Sequence, residues 1–414
     1  MIFAAAHLPA ATLTTLFSFS CTDQGIPHAG VTIGDGPVLY GTTANGDANQ
    51  GTVYALTPSP SSGWTETTIH AFQGVDGAYP AAGVVIGAGG VLYGTTRNGG
   101  GDQSRGTVFS LSPPESPGGA WTERVLHSFS GPDGAYPESM LAIGPGIGGA
   151  MALYGTTTYG GSRNSGTIFS FSPPASPGGE WQESVLFSFT KSGHQGYSPY
   201  TGVVIGPTGP DGQPVLFGTA GWGGGGSGAV GSVYALAPPA SAGDPWVYTV
   251  LYRFSPNGGG YTPGPLTLGS GADGQLTLYG TTASGAPTGS GSVYALTPAG
   301  LGVPWIESEL FEFLDATFHS DGAAPAGGVA IGSGVWYGTT SQGGPTDNGT
   351  VFSLTPPAAG GGPWTESVLY SFTGGGDGSA PEAPISIGQG GALYSTTTYA
   401  GVATTCGTVF SLTP

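Results

Sequence analysis

Leu92-Tyr93-Gly94-Thr95-Thr96 decides how the rest of the chain is read, because it recurs. The same five residues stand at Leu39 to Thr43, Leu153 to Thr157 and Leu278 to Thr282, and variants begin at Leu216, Trp336 and Leu393. The seven copies are spaced by 53 to 63 residues, the length of a propeller blade rather than of most solenoid repeats. Three more apolar segments accompany each copy. Around Leu92 they are Gly83 to Gly87, Gly106 to Leu111 and Trp121 to Phe129. Four short β-rich runs per unit make one four-stranded antiparallel blade. With strands called A to D in chain order and A nearest the axis, the fold class is all-β, a seven-bladed β-propeller. Its blades cover about 30–72, 83–129, 139–189, 202–254, 264–313, 327–372, and 384–414 plus 12–20, in one domain.

Strand D opens on Trp64, Trp121, Trp181, Trp246, Trp305 and Trp364, each eight residues before a closing Phe: Phe72, Phe129, Phe189, Phe254, Phe313 and Phe372. Even spacing predicts that Trp and Phe share one face of the strand. After the last strand C, Gly407 to Leu412, no strand D follows, whereas Thr12 to Phe19 matches the end of Trp64 to Phe72 with Ala11 at the Trp position. The N-terminal strand is therefore expected to complete the seventh blade from outside, which removes a free edge. Cys21 and Cys406, the two cysteines, flank that seam. A disulfide between them is expected, and with it an oxidising compartment.

Composition agrees with many short strands. Gly (82) and Pro (36) exceed a quarter of the 414 residues, yet 38% are hydrophobic and 11% aromatic, enough for a core. Charged residues make up only 7%, with a net charge of -18. Such a surface repels phosphate backbones and anionic lipid, which argues against nucleic-acid partners. No apolar run reaches the length of a membrane-spanning helix. Ala4 to Ala6 and Pro9 to Ala11 look like the surroundings of a signal cleavage site without its cationic region, so a trimmed export signal and an extracellular or periplasmic location are expected.

Tyr-Gly-Thr-Thr, the Gly-rich loop, Gly-Thr-Val-Phe and the Trp-to-Phe strand together resemble the tandem repeat of the choice-of-anchor bacterial surface proteins, and the strand order is similar to that of kelch propellers. The resemblance implies export and a propeller fold, and it brings no catalytic residues with it. The chain departs from that family's pattern in ending at Pro414, directly after strand C.

Strand direction puts the B-to-C and D-to-A loops on one face. The D-to-A loops repeat Asp-Gly-Ala-Tyr-Pro at Asp76 to Pro80 and Asp133 to Pro137, with looser forms at Asp321 to Pro325 and Asp377 to Pro381. They read first as turn chemistry, and otherwise as sugar-stacking Tyr79 and Tyr136 or calcium-binding carboxylates. His70 and His127, where other blades carry Phe or Tyr, read as packing residues. Trp222 is the tryptophan outside any strand position, in a Gly-rich loop suited to a stacking platform. Arg97, Arg105, Arg163 and Lys191, four of the six basic residues, fall in same-face loops near His194, Tyr159, Tyr197 and Tyr200. Convergence of these cations would make an anion site. The sequence thus reads as an extracellular, monomeric, glycan-binding module without cofactor or metal. The alternatives are a lyase on an acidic polysaccharide, with His194 and Tyr197 as acid and base and Arg163 or Lys191 neutralising the uronate, or a purely structural repeat.

Overall fold

The computed structural model describes residues 11–414 apart from 22–24, 46–49, 61–62, 117, 177–178, 192–194, 210, 224–230, 242, 256–260, 272–273, 286–287, 301–303, 315–319, 359–361 and 400–404. Seven antiparallel sheets follow one another. In the second blade the strands are Val85–Ile86, Leu92–Thr96, Thr107–Ser112 and Thr122–Ser128. In the last blade they are Ser386–Ile387, Leu393–Thr397 and Thr405–Thr413, and the fourth is Thr12–Ser20, paired from Thr12↔Thr413 to Ser20↔Thr405. The N-terminal strand closes the ring as its sequence match requires, and Cys21 is disulfide-bonded to Cys406.

The expectation that Trp and Phe of strand D share a face is overturned. Val108 pairs with His127 but Phe109 with Val125, which leaves Leu126 as an inserted residue. Equivalent bulges leave out Ile69, Leu186, Leu251, Leu310, Leu369 and Leu16. One inserted residue reverses the alternation of side chains along a strand. Trp and Phe consequently point to opposite neighbours. Trp121 packs edge-on against Tyr40 of the preceding blade at 5.9 Å, and Trp181 against Tyr93 at 5.6 Å. Phe129 instead sits buried with Leu141 and Leu153 of the following blade. The described core divides into seven clusters, one at each blade-to-blade interface. At the seam, Ala11 joins Phe372 of the sixth blade while Phe19 joins Leu39 and Leu56 of the first.

The repeated motif owes each of its residues to this packing. A Cβ on Gly94 would lie 2.5 Å from the Phe109 ring, so the ring of strand C rests on bare backbone. The second threonine pairs with strand C: Thr96 and Thr107 hydroxyls are 2.8 Å apart, as are those of Thr157 and Thr167. The first threonine reaches the next blade, with Thr42 donating to the Ala82 carbonyl (2.9 Å) and Thr95 to that of Ser139 (3.2 Å). These hydroxyls are buried and partnered, as buried polar groups require; in other copies Thr156 bonds Ser139 of its own blade, and the buried Thr281 hydroxyl has no partner among the described residues.

Candidate functional site

Backbone bridges Ala78↔Asn98, Ala135↔Tyr159, Tyr197↔Trp222, Ala323↔Gln342 and Ser379↔Tyr399 tie five of the D-to-A loops to the B-to-C loop of the same blade, on a shared face. The loop aspartates are consumed in this framework. Asp133 accepts from Ser130 N–H (2.9 Å) and Gly131 N–H (3.0 Å), and lies 2.9 Å from His127 Nε2. Asp76 lies likewise 2.9 Å from His70 Nε2. These histidines pack edge-on against Phe72 and Phe129 and also anchor the turn. Burial alone would raise the Asp133 pKa, but hydrogen bonds from His127 and Ser130 outweigh it and hold the group at about 2.

Tyr79, Tyr136, Ser198, Ala324 and Ala380 each precede a proline and each adopt φ between 51° and 58°. Residues before proline prefer extended backbone, and non-glycine residues avoid this region. Hydrogen bonds hold the conformation: Tyr79 N–H donates to Gln50 carbonyl (2.7 Å) and Arg97 N–H to Tyr79 carbonyl (2.9 Å). The turn places Tyr79 at the mouth of the central channel. The residues after the loop prolines are His28, Ala81, Glu138, Tyr200, Gly264, Ala326 and Glu382 in blade order. Five of these, with Tyr79 and Arg97, line a cavity of about 750 Å³ that opens into a channel walled by the A strands.

Side chains in the mouth are interlinked across blades. Arg97 is ion-paired with Glu138, whose other oxygen accepts from Thr158 Oγ1 at 3.0 Å. The Arg97 guanidinium lies 5.3 Å from the Tyr136 ring centroid and 6.0 Å from that of Tyr79. Tyr79 Oη is 3.5 Å from His28 Nε2. Burial lowers the His28 pKa, partly countered by Glu382, so the imidazole is neutral at pH 7 and can accept a proton. Tyr200 Oη donates to Pro263 carbonyl at 3.1 Å.

The residues singled out in the sequence are distributed over this face. Arg97 and Tyr200 line the axial cavity. Tyr197 and Trp222 pair through their backbones at 2.7 and 3.2 Å, and Lys191 Nζ lies 5.6 Å from the Tyr197 ring. Arg105 lies against Gly131, Arg163 is exposed with its carbonyl accepting from Ser165, and His194 is outside the described residues. Tyr159 meets Tyr136 edge-on at 5.9 Å. His28, Glu138 and Glu382 escaped the sequence reading. Their signal is one position after the loop proline, where polar residues replace Ala81, Gly264 and Ala326.

One further position is shared. The second residue beyond the repeated motif is Asn45, Asn98, Ser284 or Gln342 in four blades but Tyr159, Trp222 and Tyr399 in the other three, where the side chains are 41%, 50% and 56% exposed. Among the described residues, no group of three or more His, Cys, Asp or Glu side chains is placed to hold a metal ion. Among the described residues, no helix is long and apolar enough to cross a membrane.

Residues 3–210 and 277–414 match the Gloeobacter/Verrucomicrobia repeat, a repeat family as the tandem reading requires, under neither the choice-of-anchor nor the kelch name. No curated protein matches the sequence. Among solved structures, an ulvan lyase from a new polysaccharide lyase family is similar in fold, with TM-score 0.51 and 11% identity over 96% of this chain and 95% of that one. The same enzyme bound to a glucuronate and sulfated rhamnose unit gives 0.50, with the same identity and coverage. A protein of unknown function from Dyadobacter fermentans DSM 18053 gives 0.43, at 11% identity over 87% of this chain and 98% of that one.

Proposed function

The chain belongs to the Gloeobacter/Verrucomicrobia repeat family, and from that premise we propose that it is an extracellular glycan-binding module whose site is the loop face around the axial mouth. The cavity of about 750 Å³ supports this reading most directly, since its size falls in the range of ligand sites. Ala81 leaves room there. Tyr79 supplies a ring for the C–H face of a sugar, while Glu138, Glu382, His28 and Arg97 supply partners for hydroxyls. Trp222, Tyr197 and Lys191 would form a separate contact on the fourth blade. The disulfide suits an oxidising, extracellular setting, and the ulvan lyase offers a precedent for a saccharide on a similar fold. A glycan array probed with the intact protein tests the reading. Retention of at least one glycan class, weakened about tenfold by Tyr79→Ala, is expected; an array without signal would sink it.

A second reading, cleavage of an acidic polysaccharide, is favoured by the His28 and Tyr79 pair, a neutral imidazole 3.5 Å from a phenol in the same cavity. Ultraviolet absorbance of unsaturated uronate products, lost in His28→Ala, is its test.

A further inference from the structure

Tyr159, Tyr136, Arg97, Tyr79 and His28 form an unbroken track from the rim of the third blade to the axial cavity. Successive groups lie 5.9, 5.3, 6.0 and 6.2 Å apart between ring centroids, or from guanidinium to centroid. Tyr159 is exposed at the outer end, and Tyr79 and His28 line the cavity at the inner end. We infer that this track binds an extended, neutral polysaccharide chain, entering over Tyr159 and ending in the axial cavity; the inference rests on the glycan-binding reading and names its ligand class.

Two features of the track fix that class. Tyr159 and Tyr136 meet edge-on and the Arg97 guanidinium bridges the Tyr136 and Tyr79 rings, so the groups make one continuous contact strip, longer than an isolated sugar needs and suited to consecutive pyranose units. Charge then selects the neutral kind. Arg97, the one basic residue of the track, is already neutralised by Glu138, and Glu382 lines the cavity as well. The whole chain carries a net charge of -18, so a uronate or sulfated chain would meet repulsion with no free cation in the track to offset it.

The test uses the intact protein with neutral β-glucan and xylan oligosaccharides of two to eight units, and oligogalacturonates of the same lengths, by calorimetry. Affinity for at least one neutral series should rise with length and then level off. Tyr159→Ala should cost about tenfold for the longest members and leave the disaccharides unchanged, whereas Tyr79→Ala should weaken all lengths. Circular dichroism and thermal melting of each variant check folding. Length-independent binding, or Tyr159→Ala behaving as wild type, would overturn the track and leave the axial cavity as the glycan site. Preference for oligogalacturonates, weakened by salt, would overturn the neutral class. Binding of no saccharide in either series, combined with a blank array, would remove the glycan reading itself.

Discussion

Thr396 donates its hydroxyl to the carbonyl of Ala29 across 3.0 Å, although the two stand 367 positions apart. Thr42 to Ala82, Thr95 to Ser139 and Thr339 to Ala383 are the same bond within the ring. The seam is therefore chemically like these three interfaces, with the Cys21–Cys406 bridge added. Closing a loop of 385 residues amounts to about 6 kcal/mol in the chain-entropy model, an upper bound beside the roughly 2 to 4 kcal/mol that bridges usually contribute. Reduction, or Cys21→Ser with Cys406→Ser, should lower the melting temperature in calorimetry while the far-ultraviolet spectrum stays β-rich. An unchanged melting temperature would show that the strand pairing alone holds the seam.

Tyr54, Tyr234 and Tyr294 are fully buried, and among the described residues their hydroxyls have no hydrogen-bond partner. The equivalent residues of other blades are Phe109, Phe169, Phe352 and Phe410. A buried hydroxyl without a partner is destabilising. Tyr→Phe at these three positions should leave stability unchanged or raise it by up to about 1 kcal/mol each in chemical denaturation.

Gly155→Ala should act in the opposite sense. The added Cβ would lie 2.5 Å from the Phe169 ring, and overpacking of this kind destabilises by roughly 1 to 3 kcal/mol. Phe169→Leu in the same background should recover part of the loss, because it withdraws the clashing ring; no recovery would point to backbone strain instead.

Stability should peak in mildly acid solution. Burial, helped by Asp76, pushes the Glu123 carboxyl up to about 7, and burial, helped by Asp321, does the same for Glu366. A carboxyl raised above its unfolded value binds more protons when folded, so its contribution is full below about pH 4.5 and is lost as pH rises towards 7. Asp133, held at about 2, contributes above its unfolded value near 3.8 and loses that contribution as pH falls through 2. Melting temperature should decline from pH 5 to pH 8, and Glu123→Gln with Glu366→Gln should flatten that decline. An identical slope in the double variant would assign it elsewhere.

Arg97→Ala should leave Glu138 without its ion-pair partner and open the space between Tyr79 and Tyr136. Neutral glycan affinity should fall, and Glu138→Gln in the same background should restore part of it by removing the stranded charge. Calorimetric titration of wild type and the three variants reads this coupling.

Fold and closure were legible in the sequence because a tandem repeat writes its period locally. Seven copies of Leu-Tyr-Gly-Thr-Thr, a missing last strand D and a matching N-terminal segment left one way to pair the free edges, and Cys21 and Cys406 flanked that same seam. Which neighbour each Trp and Phe faces was decided only by tertiary structure, since the bulge at Leu126 and its equivalents reverses an alternation that spacing alone would preserve. The axial mouth is likewise a product of the closed ring. Five blades contribute the residue after the loop proline, and His28 meets the field of Glu382 from the far end of the chain. No local pattern announces such a site, because the positions that compose it are those where the repeats differ, and only closure brings them to one axis.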